Sequence, residues 1–183
     1  MAESDRYHGF VRSADGALSP LPPDDSAIQK AISDPNSLVW IDLVINGEDD
    51  ARILSSVFDF HPLTIEDCVS PHVDPAKIDD YERYLFIVVQ AVTEYQPERE
   101  ISVAEVQFYL GANYVVSCRH GPVPSLDHFL ERGDRCEHLL EKTADWALHG
   151  LLDSLVDDYL PIVDALDETI DRLEAEVLDH AEE

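Results

Sequence analysis

The sequence predicts an α/β fold: a three-layer α/β/α sandwich around a mixed sheet, followed by long acidic C-terminal helices. Three observations carry that prediction. Short apolar runs at Leu38–Leu43, Leu85–Val89, Ser102–Leu110 and Tyr114–Arg119 read as strands, and segments of helical periodicity are interleaved with them. From about Asp134 onward, apolar residues recur at three- and four-residue steps. Hydrophobic residues make up 45% of the 183, enough for a core despite a formal net charge of −27. Residues 1–133 are therefore expected to form the sandwich, and residues 134–183 a long acidic helical segment.

Taken in order, residues 1–24 are polar and rich in turn formers, with a short strand at Gly9–Arg12. Asp24 or Asp25 caps a helix that runs through Ile28 and Ile32 and ends near Pro35. Leu38–Leu43 puts Trp40 and Asp42 on one face of a strand and Val39, Ile41 and Leu43 on the other. Asn46 or Gly47 opens a helix with Glu48, Asp49 and Asp50 in its first turn, where the helix dipole favours negative charge. Its apolar stripe is Ile53, Leu54, Val57 and Phe58.

A second short helix starts at Pro62, whose missing N–H has no partner to lose at the first helical position. Leu63, Ile65 and Val69 supply its apolar contacts, and Glu66 and Asp67 set two carboxylates side by side. After the turn signals Pro71 and Pro75 comes the buried Leu85 strand. Ser102–Leu110 and Tyr114–Arg119 then make a hairpin around Gly111-Ala112-Asn113, residues tolerant of positive φ. Val106, Phe108 and Leu110 alternate with Gln107 and Tyr109, as a half-buried strand should. A helix through Leu126, Phe129 and Leu130 breaks near Gly133.

In the helical remainder Gly150 and Pro161 are the weak points. Pro161 removes the hydrogen bond to Asp157, and so kinks or ends a helix. The polar face carries Asp153, Asp157, Asp158, Asp164, Asp167, Glu168, Asp171, Glu174, Glu176 and Asp179, with Arg172 the lone base. Such a face repels itself and calls for cations or a basic partner.

Composition narrows the function. With 39 acids against 12 bases, the chain is a poor match for nucleic acid or an anionic membrane and a good one for cations. The plain alternative is that the acids merely solubilise it or suit a salty cytoplasm. Cys68, Cys118 and Cys136 are odd in number and form no CxxC, which fits a reducing compartment. No signal peptide is evident, and no apolar run nears the roughly 20 residues of a membrane span, so the chain itself is expected to be soluble.

Enzyme signatures are lacking: there is no Gly-rich phosphate loop and no G-x-S-x-G elbow. A zinc site from His61, Cys68 and His72 lacks any supporting HxxxH or CxxC spacing. His61 reads instead as a capping or buried residue, and Cys68 as facing the core.

Five stretches, in order and at consistent spacing, resemble the N-terminal cytoplasmic domain of CorA-type divalent-cation transporters. They are Trp40-Ile41-Asp42; His61-Pro62-Leu63-Thr64-Ile65-Glu66-Asp67-Cys68; Lys77 to Val88; Gln107 to Ser117; and Leu151-Leu152-Asp153-Ser154-Leu155-Val156-Asp157-Asp158-Tyr159. The resemblance implies the α/β/α sandwich and, beyond Glu183, a stalk helix, two membrane spans and a Gly-Met-Asn pore signature. It also implies a homopentamer at the cytoplasmic face of the inner membrane.

In that family, intracellular Mg2+ is sensed between cytoplasmic domains and closes the pore. The residues matching the sensing positions are Glu66, Asp67 and Asp153, with Mg2+ as the regulatory ligand and Co2+, Ca2+ or Zn2+ as alternatives. A further family ligand lies on the stalk. The plain alternatives are an Asp67 paired with Lys77 or Arg83, and an Asp153 on a solvated helix face. Rival readings are the zinc-transporting branch of the same family, a stand-alone acidic cation-binding protein and a carboxylate hydrolase.

Overall fold

The computed structural model describes residues 6–70, 74–95, 101–131 and 133–181. Near the N-terminus lie strands β1 (Tyr7–Arg12) and β2 (Leu18–Pro20), helix α1 (Asp25–Ser33), and strand β3 (Leu38–Val44). Helices α2 (Arg52–Ser56) and α3 (Pro62–Val69) follow, and then strands β4 (Lys77–Asp80), β5 (Leu85–Glu94), β6 (Ser102–Leu110) and β7 (Tyr114–Arg119). Four helices complete the described chain: α4 (Pro124–Glu131), α5 (Gly133–Leu139), α6 (Ala144–Asp157) and α7 (Leu160–Ala181).

The strands form one mixed sheet in the order β2-β1-β3-β7-β6-β5-β4. β3 and β7 run parallel, and every other neighbouring pair is antiparallel. The expected mixed sheet covered on both faces is therefore what forms.

Alternation along β3 divides the core. Val39, Ile41 and Leu43 face a cluster with Ile28, Leu54, Phe60, Cys68 and Tyr109, roofed by α1, α2 and α3. Trp40 faces the opposite cluster with Phe108, Leu126, Leu139 and Leu151, roofed by α4, α5 and α6. Because both faces are covered, β6 is buried on both sides: Val106 and Phe108 lie in one cluster, and Gln107 and Tyr109 are as deeply buried on the other face. The half-buried strand expected from alternation is thus a central one, and its polar residues are inside.

Several local expectations are corrected. Residues 47–52 form successive i,i+3 turns, and the helix begins only at Arg52. The Asp50 carboxylate accepts the Asn46 N–H at 2.8 Å and pairs with Arg6 at 3.3 Å, so it closes a turn instead of fronting a helix. Leu63 is exposed, whereas Thr64 and Cys68 are the buried positions of α3.

At the hairpin neither Gly111 nor Asn113 has positive φ. Gly111 is required for close approach: its N–H donates to Tyr114 O at 2.9 Å, and a Cβ there would run into the Tyr114 ring. Gly150 is no weak point, since it lets Leu139 pack against α6; a Cβ would stand 2.8 Å from Leu139 Cδ1. Pro161 does mark a boundary, with α6 ending at Asp157 and α7 starting at Leu160. Strands β2 and β4 are additional to the expectation. Both are short edge strands with little apolar alternation to signal them.

Candidate functional site

The site is built from α3 upward. His61 caps this helix: its Nδ1 accepts the Leu63 N–H at 3.2 Å, and its carbonyl accepts the Thr64 hydroxyl at 2.9 Å. The His61 N–H donates to the Tyr84 hydroxyl at 2.9 Å. One turn on, Tyr109 O–H donates to Thr64 O at 2.9 Å, which leaves the Cys68 thiol, 3.2 Å away, to donate to the Tyr109 oxygen. Burial pushes the Tyr109 phenol well above its usual pKa, so it remains a donor.

His61 and Cys68 are therefore committed to holding α3 on the sheet, while His72 lies outside the described residues. With Thr64 and Cys68 facing inward, helical spacing turns Glu66 away from the sheet and leaves Asp67 at the flank of α3. Glu66 is exposed at a cleft of about 550 Å3 between α2 and α3, lined also by Glu48, Arg52, Ile65 and Val69.

Asp67 is half-buried, and Lys77 Nζ on β4 donates to it at 2.9 Å. The same ammonium stands 3.7 Å from Asp74 and 3.9 Å from Asp79, with Phe86 beneath it at 5.7 Å from the ring centroid. The hydrogen bond to Asp67 holds the Lys77 pKa above its ordinary value. The pairing with Lys77 weighed from the sequence is thus present, while Arg83 pairs with Asp59 instead. Behind Lys77, Glu105 is buried on β6 and accepts the Asp74 N–H and a Gln107 amide N–H. Burial pushes its carboxyl up, and the hydrogen bonds from the Asp74 N–H and Gln107 offset part of that rise.

Asp153 lies on the other side of the sheet. It is exposed on α6, one turn beyond His149, and both line a cleft of about 550 Å3 with Phe129, Arg135, His138 and Trp146. Since α3 and α6 roof opposite faces, one chain does not bring Glu66 and Asp67 together with Asp153. Among the described residues, no group of three or more His, Cys, Asp or Glu side chains could hold a metal ion.

Sequence reasoning missed one ionic network entirely. Asp42 is fully buried and takes Arg119 Nε and Nη2 at 3.0 and 2.9 Å. Its other oxygen accepts the Ser117 hydroxyl at 2.6 Å, and Ser117 in turn accepts the Trp40 indole N–H at 3.2 Å. Arg119 Nη1 reaches Asp127 on α4 at 2.7 Å. The available signal was the parallel register, which pairs Asp42 with Ser117 and lies beyond any single-strand pattern.

On α7, Val163, Leu166, Ile170, Leu173 and Val177 are each at least half exposed. No helix among the described residues is long and apolar enough to cross a membrane.

A family model described as CorA-like Mg2+ transporter protein matches residues 35–183. The cobalt/magnesium transport protein CorA of Thermotoga maritima is 32% identical over 151 residues, or 81% of this chain. The match spans only 43% of that relative's length. The structure of the full-length CmaX protein superimposes with a TM-score of 0.69 at 18% identity, covering 91% of this chain and 50% of that one. The soluble domain of CorA from Methanocaldococcus jannaschii gives a TM-score of 0.66 at 14% identity, covering 98% and 67%. At such identities the two structures speak to the fold alone, and their fold is the α/β sandwich described above.

Proposed function

The chain belongs to the family of CorA-like Mg2+ transporter proteins, and on that premise we propose that it is the cytoplasmic regulatory domain of a magnesium/cobalt transporter. In this reading a divalent cation, Mg2+ first among them, bridges Glu66 and Asp67 of one copy to Asp153 of the next and thereby controls the pore. One observation carries it. The two acidic elements sit on opposite faces of the sheet, so a cation that joins them joins two chains. The arrangement suits a ring of subunits, a homopentamer, held at the cytoplasmic face of the inner membrane by segments outside this sequence.

The physics is ligand-biased packing, with no covalent step. Facing carboxylates on a protein of formal charge −27 repel one another when no cation is present. Mg2+ keeps several of its waters and so joins carboxylates through its hydration shell. Occupancy shifts the subunit interface by as much as the ion prefers the closed packing over the open one.

A second reading is the zinc-transporting branch of the family: His138 and His149 line the same cleft as Asp153 without forming a ligand group within one chain, and imidazole suits Zn2+ better than Mg2+.

Sedimentation velocity with and without millimolar Mg2+, at constant ionic strength, tests the proposal. The parent chain should move to larger or more compact species in Mg2+, and Asp67→Asn combined with Asp153→Asn should ignore it. Equal responses to Mg2+ and matched Na+ in both proteins would reduce these acids to solvated charge. A response to Zn2+ alone, lost in His149→Gln, would favour the second reading.

A further inference from the structure

We infer that Lys77 is a competitor built into the fold, whose ammonium holds the Asp67 carboxylate until a divalent cation displaces it onto Asp79 and Asp74. The inference rests on the reading of Asp67 as a cation ligand given above.

The geometry supplies both ends of the exchange. Lys77 Nζ is in hydrogen-bond contact with Asp67 at 2.9 Å, while Asp74 at 3.7 Å and Asp79 at 3.9 Å stand just outside contact. Asp79 is two residues along the same strand, so it shares a face with Lys77. Asp74 is fixed from behind, with its N–H given to Glu105 and its carbonyl accepting the Gln90 amide at 2.9 Å. The ammonium itself stands over the Phe86 ring, 5.7 Å from its centroid, within 4 Å of all three carboxylates. One ammonium thus serves three carboxylates, and leaving Asp67 still leaves it two.

The balance is one that a cation can tip. The Lys77 and Asp67 side chains are 36% and 28% exposed, so water screens the pair and its strength is modest. A divalent ion brings two charges to the carboxylate where the ammonium brings one. Lys77 therefore sets the concentration at which the ion takes over. The contrast with Arg119 supports this: that guanidinium is buried and clamped between Asp42 and Asp127. Lys77 acts through Asp67 and is in that sense a positioning residue.

The test is a Mg2+ titration at constant ionic strength, with the sedimentation shift as readout, on the parent, Lys77→Met, Lys77→Arg and Asp67→Asn. Lys77→Met keeps an unbranched apolar side chain of similar length and removes the ammonium, with its charge and its hydrogen bond to Asp67. Its Mg2+ midpoint should fall about three- to fivefold, the ratio that a partly exposed ion pair supports. Lys77→Arg should stay near the parent, and Asp67→Asn should not respond. A lysine that merely pinned α3 to β4 would lower the melting temperature when removed without tightening Mg2+.

An unchanged or raised midpoint in Lys77→Met, with Asp67→Asn silent, would overturn the inference and leave the Asp67 reading standing. A parent that answers Mg2+ no differently from matched Na+ would bring down both. Lys77→Gln carries the same measurement should the Met variant not fold.

Discussion

Two ion pairs in this protein use the same charges in opposite ways. Asp42 and Arg119 meet inside the sheet with side chains 0% and 3% exposed, and every remaining polar atom of the aspartate is satisfied by Ser117 or the guanidinium. Asp67 and Lys77 meet at the rim, where water reaches both and two further carboxylates compete for the ammonium. The first pair has a single arrangement, so it locks β3, β7 and α4 in register. The second has three carboxylates within 4 Å of one ammonium, so in the inferred exchange it responds to an added ion. Burial decides which role a carboxylate plays: desolvation makes a broken buried pair very costly, whereas screening makes a rim pair cheap to exchange.

The comparison is broken most sharply at the buried end. Asp42→Ala leaves Arg119 in the core with Asp127 and the Gly121 carbonyl as its remaining partners and Ser117 without its acceptor. It should destabilise the fold by about 3–5 kcal/mol in urea denaturation. A loss below about 1 kcal/mol would mean that the buried pair is no lock. At the exposed end, Asp153→Asn touches a solvated helix face and should change stability by less than about 0.5 kcal/mol in the same assay. A larger loss would show that Asp153 has a structural partner within the chain and is not held in reserve for another copy.

Much of the fold was legible in the sequence because its signals were local. The β3 alternation of Trp40 and Asp42 against Val39, Ile41 and Leu43 assigned residues to the two layers correctly. Asp24 caps α1 through its side chain as its residue type suggests, and Pro62 and His61 start α3. What failed was decided by tertiary partners. Asp49 and Asp50 look like helix-start acids, yet Arg6, 44 residues away, claims Asp50. Gln107 looks like a solvent-facing strand residue, yet it is buried and its amide donates to Glu105. Gly150 looks like a helix breaker until Leu139 is seen against it.

The candidate site was legible only in part. Glu66, Asp67 and Asp153 could be singled out by resemblance, and Lys77 could be weighed as a partner of Asp67. That α3 and α6 roof opposite faces could not be read, because helical periodicity says which stripe is apolar and not which side of a sheet it meets. In the proposed reading, that one fact means that a cation joining Glu66 and Asp67 to Asp153 joins two chains.

The most direct test of that requirement is a mixing experiment. Asp67→Asn and Asp153→Asn are prepared separately, each is confirmed silent to Mg2+ by sedimentation velocity, and the two are then combined in equal amounts. In the mixture, intact Glu66 and Asp67 of one variant can face intact Asp153 of the other. The account predicts that a Mg2+-dependent shift returns in part, absent with matched Na+. A mixture as silent as its components would contradict bridging between copies.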